Sequence, residues 1–243
     1  MSRQILKIRD KTDSYYTKLK DIFDLPMRLV IVGKSQLSGK STIILNLLLR
    51  DSFYNNAFKG ENIYLISNNK LDNKLKILAD MKKVPPQNIF EYNEEKLEVL
   101  YEILEEEFIT SVADKEKPAN ILLVFDDVAY SGSLKNKTTG IVSKLVMNGR
   151  HANISTIFTT QKYSLISTGV RSNVTGAILF GNSAKELELM TEDYNYLNDR
   201  KLFHKMYRSA TKERNSFLVV NFSNDESEMY LDSKFKPIKI DNI

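Results

Sequence analysis

The chain has 243 residues, of which 42% are hydrophobic and 27% charged, a balance typical of a globular protein with one large domain. It contains no cysteine, which excludes disulfide bonds, thiolate metal sites and cysteine nucleophiles from this sequence. The formal net charge of +4 permits a nucleic-acid partner without requiring one. Because no stretch approaches the roughly 20 apolar residues of a membrane span and residues 1–13 lack a signal-peptide core, we expect neither a membrane span nor secretion.

Apolar runs typical of buried strands alternate with helical patterns along most of the chain. Residues 1–26 are polar and basic and are interpreted as an N-terminal extension, with a helical pattern over 15–23 that ends before Pro26. The predicted strands are 28–32, 62–67, 89–92, 120–126, 154–160, 177–181 and 217–222. The predicted helices are 42–50, 73–82, 94–112, 138–148, 185–194 and 199–206.

Strands that are apolar on both faces and separated by helices are typical of a mostly parallel sheet. We therefore predict one α/β domain over 27–243, with helices on both faces of a central sheet and a basic tail at about 233–243. Because residues 39–41 (Gly-Lys-Ser) stand between the first apolar strand and a helix, we predict that this is a single P-loop NTPase domain of RecA-like type.

Residues 29–42, with the sequence LVIVGKSQLSGKST, have the strand, loop and helix order of a phosphate-binding loop. Gly39 lets the backbone approach phosphates, Lys40 can reach the β- and γ-phosphates of ATP, and the Ser41 hydroxyl can ligate Mg²⁺. The motif departs from G-x-x-x-x-G-K-[ST], because five residues separate Gly33 from Gly39. Either Lys34 takes the first-glycine position or the loop is one residue longer. The predicted ATP-binding residues are Gly33, Lys34, Ser35, Gln36, Leu37, Ser38, Gly39, Lys40, Ser41 and Thr42.

A second apolar strand, over 120–126, ends in two carboxylates. We expect this strand to lie next to strand 28–32, which leads into the phosphate-binding loop. Asp126 would then reach the magnesium ion from the end of its strand, and Asp127 would orient or deprotonate the attacking water. Without that loop, the same residues would be interpreted as a buried strand ending in a capped turn. The strand 154–160 likewise ends in a polar residue, and we predict that Gln161, with Thr160 behind it, senses the γ-phosphate.

The order and spacing of several segments carry a family resemblance. They are the loop at Lys40, the strand ending at Asp126 and Asp127, residues 148–155 (NGRHANIS), the strand end 159–161 (TTQ) and residues 171–173 (RSN). Together they resemble the packaging ATPases of double-stranded DNA viruses, the branch of the FtsK–HerA superfamily found in poxviruses, other large DNA viruses and virophages. The similarity covers roughly residues 27–181, and Gly-Arg-His before a strand is its most specific feature.

The resemblance implies an ATP-hydrolysing motor that moves double-stranded viral DNA into a preformed capsid. It implies the roles given above for Lys40, Ser41, Asp126, Asp127 and Gln161. It also implies a ring of identical subunits, in which an arginine from the neighbour completes each ATP site. For that role the sequence offers two candidates, Arg150 and Arg171.

The implied partners are double-stranded DNA, other copies of the chain and capsid vertex proteins. DNA binding is expected to be salt-sensitive and independent of sequence, because a translocase follows the phosphate backbone. Two basic segments qualify, 133–137 and 201–214, the second with five Lys and Arg residues among aromatic ones. Each is equally compatible with an ordinary solvated face. The expected location is the cytoplasmic virus factory of the host cell or the virion.

Two other functions stay open on the sequence. One is a related P-loop ATPase of DNA replication or recombination, either a helicase or an AAA+ loader. The other is a nucleotide-binding scaffold that hydrolyses little ATP and acts in virion assembly, which the unusual position of Gly33 keeps open. A small-molecule kinase is disfavoured, because no lid with paired arginines follows the phosphate-binding segment.

Overall fold

The computed structural model describes residues 22–34, 39–68, 71–128 and 140–239. Its strands are β1 Arg28–Val32, β2 Ile63–Ser67, β3 Ile89–Glu91, β4 Ile121–Asp126, β5 Ile154–Thr160, β6 Gly176–Phe180, β7 Phe217–Asn221 and β8 Tyr230–Leu231. Its α-helices are α1 Lys40–Leu49, α2 Asn73–Lys82, α3 Glu94–Ala113, α4 Ile141–Asn148, α5 Thr168–Arg171, α6 Ala184–Tyr194 and α7 Arg200–Ala210.

The strands form one eight-stranded sheet in the order β3-β2-β4-β5-β1-β6-β7-β8. The first six strands of that order run parallel, and β7 and β8 are antiparallel to their neighbours. The predicted mostly parallel α/β sheet is therefore confirmed. The expectation that the strand ending at Asp126 lies next to β1 is wrong, because β5 pairs with both and separates them. Since the strands are parallel, the carboxyl ends of β1, β4 and β5 meet at one edge of the sheet, where ligands of open α/β sheets bind.

The hydrophobic core is divided by the sheet into two layers. Along β1, Leu29 and Ile31 pack with α1 and α2 on one face, whereas Val30 and Val32 belong to the layer that α3, α4, α6 and α7 cover. Successive residues alternate between the faces because a strand has a period of two. Burial on both faces explains why the strands have continuous apolar sequences.

The two ends of the described chain pack on this core. Phe23 is buried against β6, where a Cβ added to Gly176 would lie 2.2 Å from the Phe23 ring. The interpretation of 1–26 as an extension stays a prediction, because residues 1–21 lie outside the described ranges. At the other end, β8 was not predicted from the sequence, and Pro237 within the expected tail forms a β-bridge with Leu231. Among the described residues, no helix combines the length and apolarity needed to cross a bilayer.

Candidate active site

The chain passes from β1 into α1 at the carboxyl edge of the sheet. Gly33 donates its backbone N–H to the Thr160 carbonyl at 3.0 Å, which joins the loop to the end of β5. Gly39 precedes α1 with a φ of 88°, a left-handed conformation that glycine adopts without a steric penalty. The predicted positions Ser35, Gln36, Leu37 and Ser38 lie outside the described residues, so the effect of the longer spacing stays untested.

The Lys40 ammonium reaches back across the start of this loop. Its Nζ donates to the carbonyl of Gly33 at 2.7 Å and to that of Lys34 at 3.4 Å. Burial lowers the pKa of Lys40 below its ordinary value, while the charges of Asp127, Asp126 and Asp72 act in the opposite direction. The cation therefore lies among carboxylates, at the end of a helix whose free N–H groups favour anions.

At the end of β4, one threonine of the neighbouring strand contacts both aspartates. Asp126 is in register with Thr159 of β5. The Thr159 hydroxyl donates to Asp126 Oδ1 at 2.7 Å and accepts the backbone N–H of Asp127 at 3.0 Å. Burial raises the pKa of Asp126, the Thr159 hydrogen bond acts against that rise, and the charge of Asp72 adds to it. The chain then turns sharply, because Asp127 has a φ of 53°.

Gln161 lies beside Asp127, directly after β5. Its Nε2 donates to Asp127 Oδ2 at 2.7 Å, and its backbone carbonyl accepts a hydrogen bond from Asn182 Nδ2 at 3.1 Å. Because Asn182 follows β6, the ends of β4, β5 and β6 are connected at this point. An amide held against the carboxylate that would activate water is suitably placed to respond to the nucleotide.

The donor set suits a magnesium ion bound together with phosphates. Mg²⁺ prefers oxygen ligands and in nucleotide sites takes only one or two from the protein. Ser41 and Asp126 carry oxygens of this kind, and the Thr159 hydroxyl contacts Oδ1 of Asp126. Within the described ranges, no group of three or more His, Cys, Asp and Glu side chains forms a metal site without a ligand's help.

The two arginine candidates differ in their surroundings. Arg150 is exposed in the 3-10 turn Gly149–Ala152, before the amino end of β5, and its Nε lies 3.4 Å from His151 Nε2. It is therefore at the edge of the sheet opposite Lys40. Arg171 has a side chain only 16% exposed, which forms a 2.8 Å ion pair with Asp193. Its guanidinium carbon also lies 5.2 Å from the centroid of the Tyr163 ring.

Of the two segments proposed for DNA, 133–137 lies outside the described residues, and 201–214 includes all of α7 except its first residue. Phe203 and Tyr207 of α7 are buried in the core, so these aromatic side chains are unavailable to stack on bases. Its basic side chains are exposed, and Lys201, Lys205 and Arg208 border a shallow groove. This helix offers cations for a phosphate backbone, but not an aromatic platform.

Three residues that the sequence did not single out contribute to this edge. Thr159, rather than Thr160, holds the aspartates, since the Thr160 hydroxyl donates to the Lys162 carbonyl. Asp72 begins α2 as its N-cap, and its charge acts on Asp126 and Lys40. Asn182 positions the Gln161 backbone. The register of β4 and β5 would have indicated Thr159, but the other two contacts depend on the tertiary fold.

A family model described as poxvirus A32 protein matches residues 15–241. The chain belongs to the poxvirus A32 protein family. No curated protein sequence matches it significantly.

Solved structures resemble this A32 family member in fold. The genome packaging NTPase B204 from Sulfolobus turreted icosahedral virus 2, in complex with AMPPCP, has a TM-score of 0.56 and 20% identity over 82% of this chain and 93% of B204. B204 of Sulfolobus turreted icosahedral virus, described as the DNA-packaging ATPase, has a TM-score of 0.55 and 19% identity over 82% and 94%. EssC (ATPases 2 and 3) from Geobacillus thermodenitrificans has a TM-score of 0.52 and 18% identity over 68% and 34%. The expected resemblance to viral packaging ATPases of FtsK–HerA type is confirmed.

Proposed function

We propose that this A32 family member is the ATPase that drives double-stranded viral DNA into a preformed capsid. The observation that carries the proposal is the hydrogen-bonded set at one edge of the sheet, where Lys40 lies among carboxylates and Gln161 holds Asp127. Membership of the A32 family and the fold shared with the genome packaging NTPase B204 support the same function.

The substrate is ATP, bound with its phosphates at the amino end of α1. B204 has been solved with AMP, ATP-gammaS and AMPPCP, which supports a nucleotide at the corresponding loop here. Lys40 would exchange its carbonyl contacts with Gly33 and Lys34 for phosphate oxygens. Ser41 and Asp126 would hold a magnesium ion, which neutralises charge on the phosphates when bound.

Asp127 is the residue best placed to act on the attacking water. Its carboxylate would accept a proton as the water oxygen bonds to the γ-phosphorus, while the bond to the bridging oxygen of ADP breaks. Gln161 fixes the orientation of that carboxylate through Oδ2, and Thr159 fixes the backbone of the same residue. The two contacts restrain Asp127 before the nucleotide arrives, which reduces the entropic cost of reaching the reactive geometry.

Motion of DNA requires several copies of the chain. In the proposed ring, an arginine of one subunit completes the site of the next and neutralises charge on the transferred phosphoryl group. Exposed Arg150, at the edge opposite Lys40, suits a head-to-tail arrangement in which opposite edges of neighbouring subunits meet. The exposed cations of α7 would contact the DNA backbone, and proteins of the capsid vertex would anchor the ring.

The other functions are not favoured. A helicase or AAA+ loader would share the site chemistry, but the A32 family match supports packaging. A scaffold with little hydrolysis would not need the ordered contacts from Thr159 and Gln161 to the two aspartates.

The test is the steady-state ATPase rate with and without long linear duplex DNA, at low and moderate salt. We expect DNA to stimulate hydrolysis and salt to weaken the stimulation, because phosphate contacts release counterions. Lys40→Ala should abolish turnover. Asp127→Asn should still bind ATP but hydrolyse it at least about 100-fold more slowly. ATP binding without DNA-stimulated turnover in an assembled ring would contradict the proposal and favour the scaffold.

A further inference from the structure

A cleft of about 1070 Å³ opens beside the first turn of α1. Its lining includes Gly39, Thr42, Phe53 and Asn215, and a continuous stretch of the C-terminal segment, residues 233–237, which we call the outer wall. The volume lies at the upper end of the range for small-molecule sites. The lining combines aromatic side chains with basic and other polar ones. Apart from Gly39 and Thr42, the residues that line the cleft lie outside the phosphate-binding motif.

The cleft continues directly from the proposed phosphate site. Gly39 and Thr42 lie on either side of Lys40 and Ser41 and also line the cleft. If the phosphates of a nucleotide bind at Lys40 and Ser41, the rest of the nucleotide can therefore extend into the cleft. Asn215 lies at the junction, since its Oδ1 is 3.8 Å from the position that a Cβ on Gly39 would occupy. Lys74, which donates a hydrogen bond from Nζ to the Thr42 hydroxyl, adds positive charge near the same place.

A tight turn of the C-terminal segment forms the outer wall. The Phe235 N–H donates to the Asp232 carbonyl and the Asp232 N–H to the Lys236 carbonyl, both at 2.9 Å. The Asp232 carboxylate accepts the N–H groups of Lys234 at 2.8 Å and Lys236 at 3.0 Å. Asp232 directly follows β8, so the turn is fixed to the sheet. The wall is thus a built feature of the fold.

Phe235 occupies the position of this turn where glycine is usual. Its φ of 59° is left-handed, which is uncommon for a bulky side chain. The ring is only partly buried, with its centroid 5.1 Å from that of Phe53 and 6.0 Å from that of Phe217. Residues held in strained backbone conformations are concentrated at ligand clamps and active sites. A glycine would relieve the strain but remove the ring from the cleft.

We propose that the base of ATP binds in this cleft against Phe235, which makes the turn 232–237 the base-recognition element of the site. The inference rests on the proposed function, because it requires the phosphates to lie at Lys40. The Phe235 ring provides a face for base stacking. The basic side chains of Arg214, Lys234 and Lys236 line the same cleft and would favour an anionic ligand.

The test is calorimetric binding of ATP and of inorganic tripolyphosphate, each with Mg²⁺, to the full chain. Phe235→Ala should raise the Kd for ATP about tenfold, since aromatic stacking on a base is removed, and should leave the Kd for tripolyphosphate unchanged. Phe235→Tyr should bind ATP normally. Phe235→Leu keeps an apolar side chain for the core and should show the same selective weakening, so it replaces the alanine variant if that one fails to fold.

Phe222→Ala is the matched control, because Phe222 is another partly buried aromatic, with its ring centroid 5.7 Å from those of Tyr194 and Tyr196. It should change neither Kd. Unchanged ATP affinity in Phe235→Leu, or an equal weakening for both ligands, would overturn the inference. Lys40→Ala separates the two proposals: if it weakens neither ligand, the phosphate site itself is wrong, whatever Phe235 does.

Discussion

Thr159 forms hydrogen bonds with both aspartates of the site. Its buried hydroxyl donates to Asp126 and accepts from the backbone of Asp127. Thr159→Val keeps the shape and removes both hydrogen bonds, so we expect the ATPase rate to fall roughly tenfold with little change in ATP affinity. Thr159→Ser should recover most of the rate, because it restores the hydroxyl.

The control for this change lies three residues earlier on the same strand. Thr156 is fully buried, and its hydroxyl has no hydrogen-bond partner in the described part of the chain. Thr156→Val should therefore leave the ATPase rate unchanged and keep or slightly raise the free energy of unfolding, by up to about 1 kcal/mol. If Thr159→Val and Thr156→Val lower the ATPase rate equally, then a threonine-to-valine change anywhere in β5 disturbs the site. The hydrogen bonds of Thr159 would then have no specific role.

Asp126 is expected to reduce stability in the absence of ligand. Its folded-state pKa is raised by burial, so ionising it costs free energy. That cost is absent below the ordinary carboxyl pKa, grows as the pH rises through the folded-state pKa, and is complete above it. Asp126→Asn should thus raise the melting temperature at neutral pH, lose that advantage in acid, and abolish Mg²⁺-dependent hydrolysis.

Thermal denaturation at several pH values measures this effect, and the control is a substitution of a carboxylate outside the site. Asp80→Asn, on the exposed side of α2, should change the free energy of unfolding by less than about 0.5 kcal/mol. An Asp126→Asn protein less stable than the wild type at neutral pH would contradict the sign of the pKa shift.

The sequence predicts some residues at this edge of the sheet and not others, depending on whether their position follows from a local pattern or from the tertiary fold. The positions of Lys40, Asp126 and Asp127 at one edge of the sheet could be predicted, because each lies at or beyond the end of an apolar strand and strand ends are local features. Asp72 and Asn182 could not, since their roles come from positions beside strands that are neighbours only in the folded sheet. The pairing of Arg171 with Asp193 was hidden for the same reason.

Among the elements, α7 carries the proposed contact with DNA. Lys205→Ala combined with Arg208→Ala should weaken duplex binding and lower the slope of log K against log salt by about one for each phosphate that the variant no longer neutralises. The ATPase rate without DNA should not change, because both side chains are exposed and lie outside the site. Binding titrations at several salt concentrations measure the effect.

Two lysines elsewhere provide the comparison. Lys115 and Lys117, exposed just after α3, carry the same change of charge when both are replaced by alanine. An equal fall in DNA affinity in this variant would mean that net charge alone matters, and α7 would have no particular role.

The elements themselves were largely predictable, because strands buried on both faces and amphipathic helices leave clear patterns. The helix Asn73–Lys82 and the strand Ile154–Thr160 have the predicted bounds. The strand β8 is only two residues long, too short for a periodic signal. The tail beyond it contains Lys234 and Lys236, and its basic composition concealed the position of Phe235 between them.

For the whole molecule, the proposed ring predicts complementation between two inactive variants. Lys40→Ala disables the site of its own subunit, and Arg150→Ala would disable the site of the neighbour. Mixing the two should restore part of the ATPase activity, because some interfaces combine an intact Lys40 with an intact Arg150 from the adjacent subunit. Mixing Lys40→Ala with Asp127→Asn is the control and should restore none, since both residues belong to one site.

If Arg150→Ala does not complement Lys40→Ala, the same mixing experiment with Arg171→Ala tests the second arginine candidate. This side chain would have to leave Asp193 before it could reach another subunit. Recovery with Arg171→Ala but not with Arg150→Ala would reverse the preference for Arg150.

Movement along duplex DNA tests the central claim most directly. A third strand bound to a linear duplex reports translocation. A motor that moves along the duplex displaces the third strand, while the two strands of the duplex stay paired. We expect ATP-dependent displacement by the assembled wild-type ring and none by Asp127→Asn, which should still bind ATP and DNA. DNA-stimulated hydrolysis that proceeds without displacing the third strand would contradict a packaging motor.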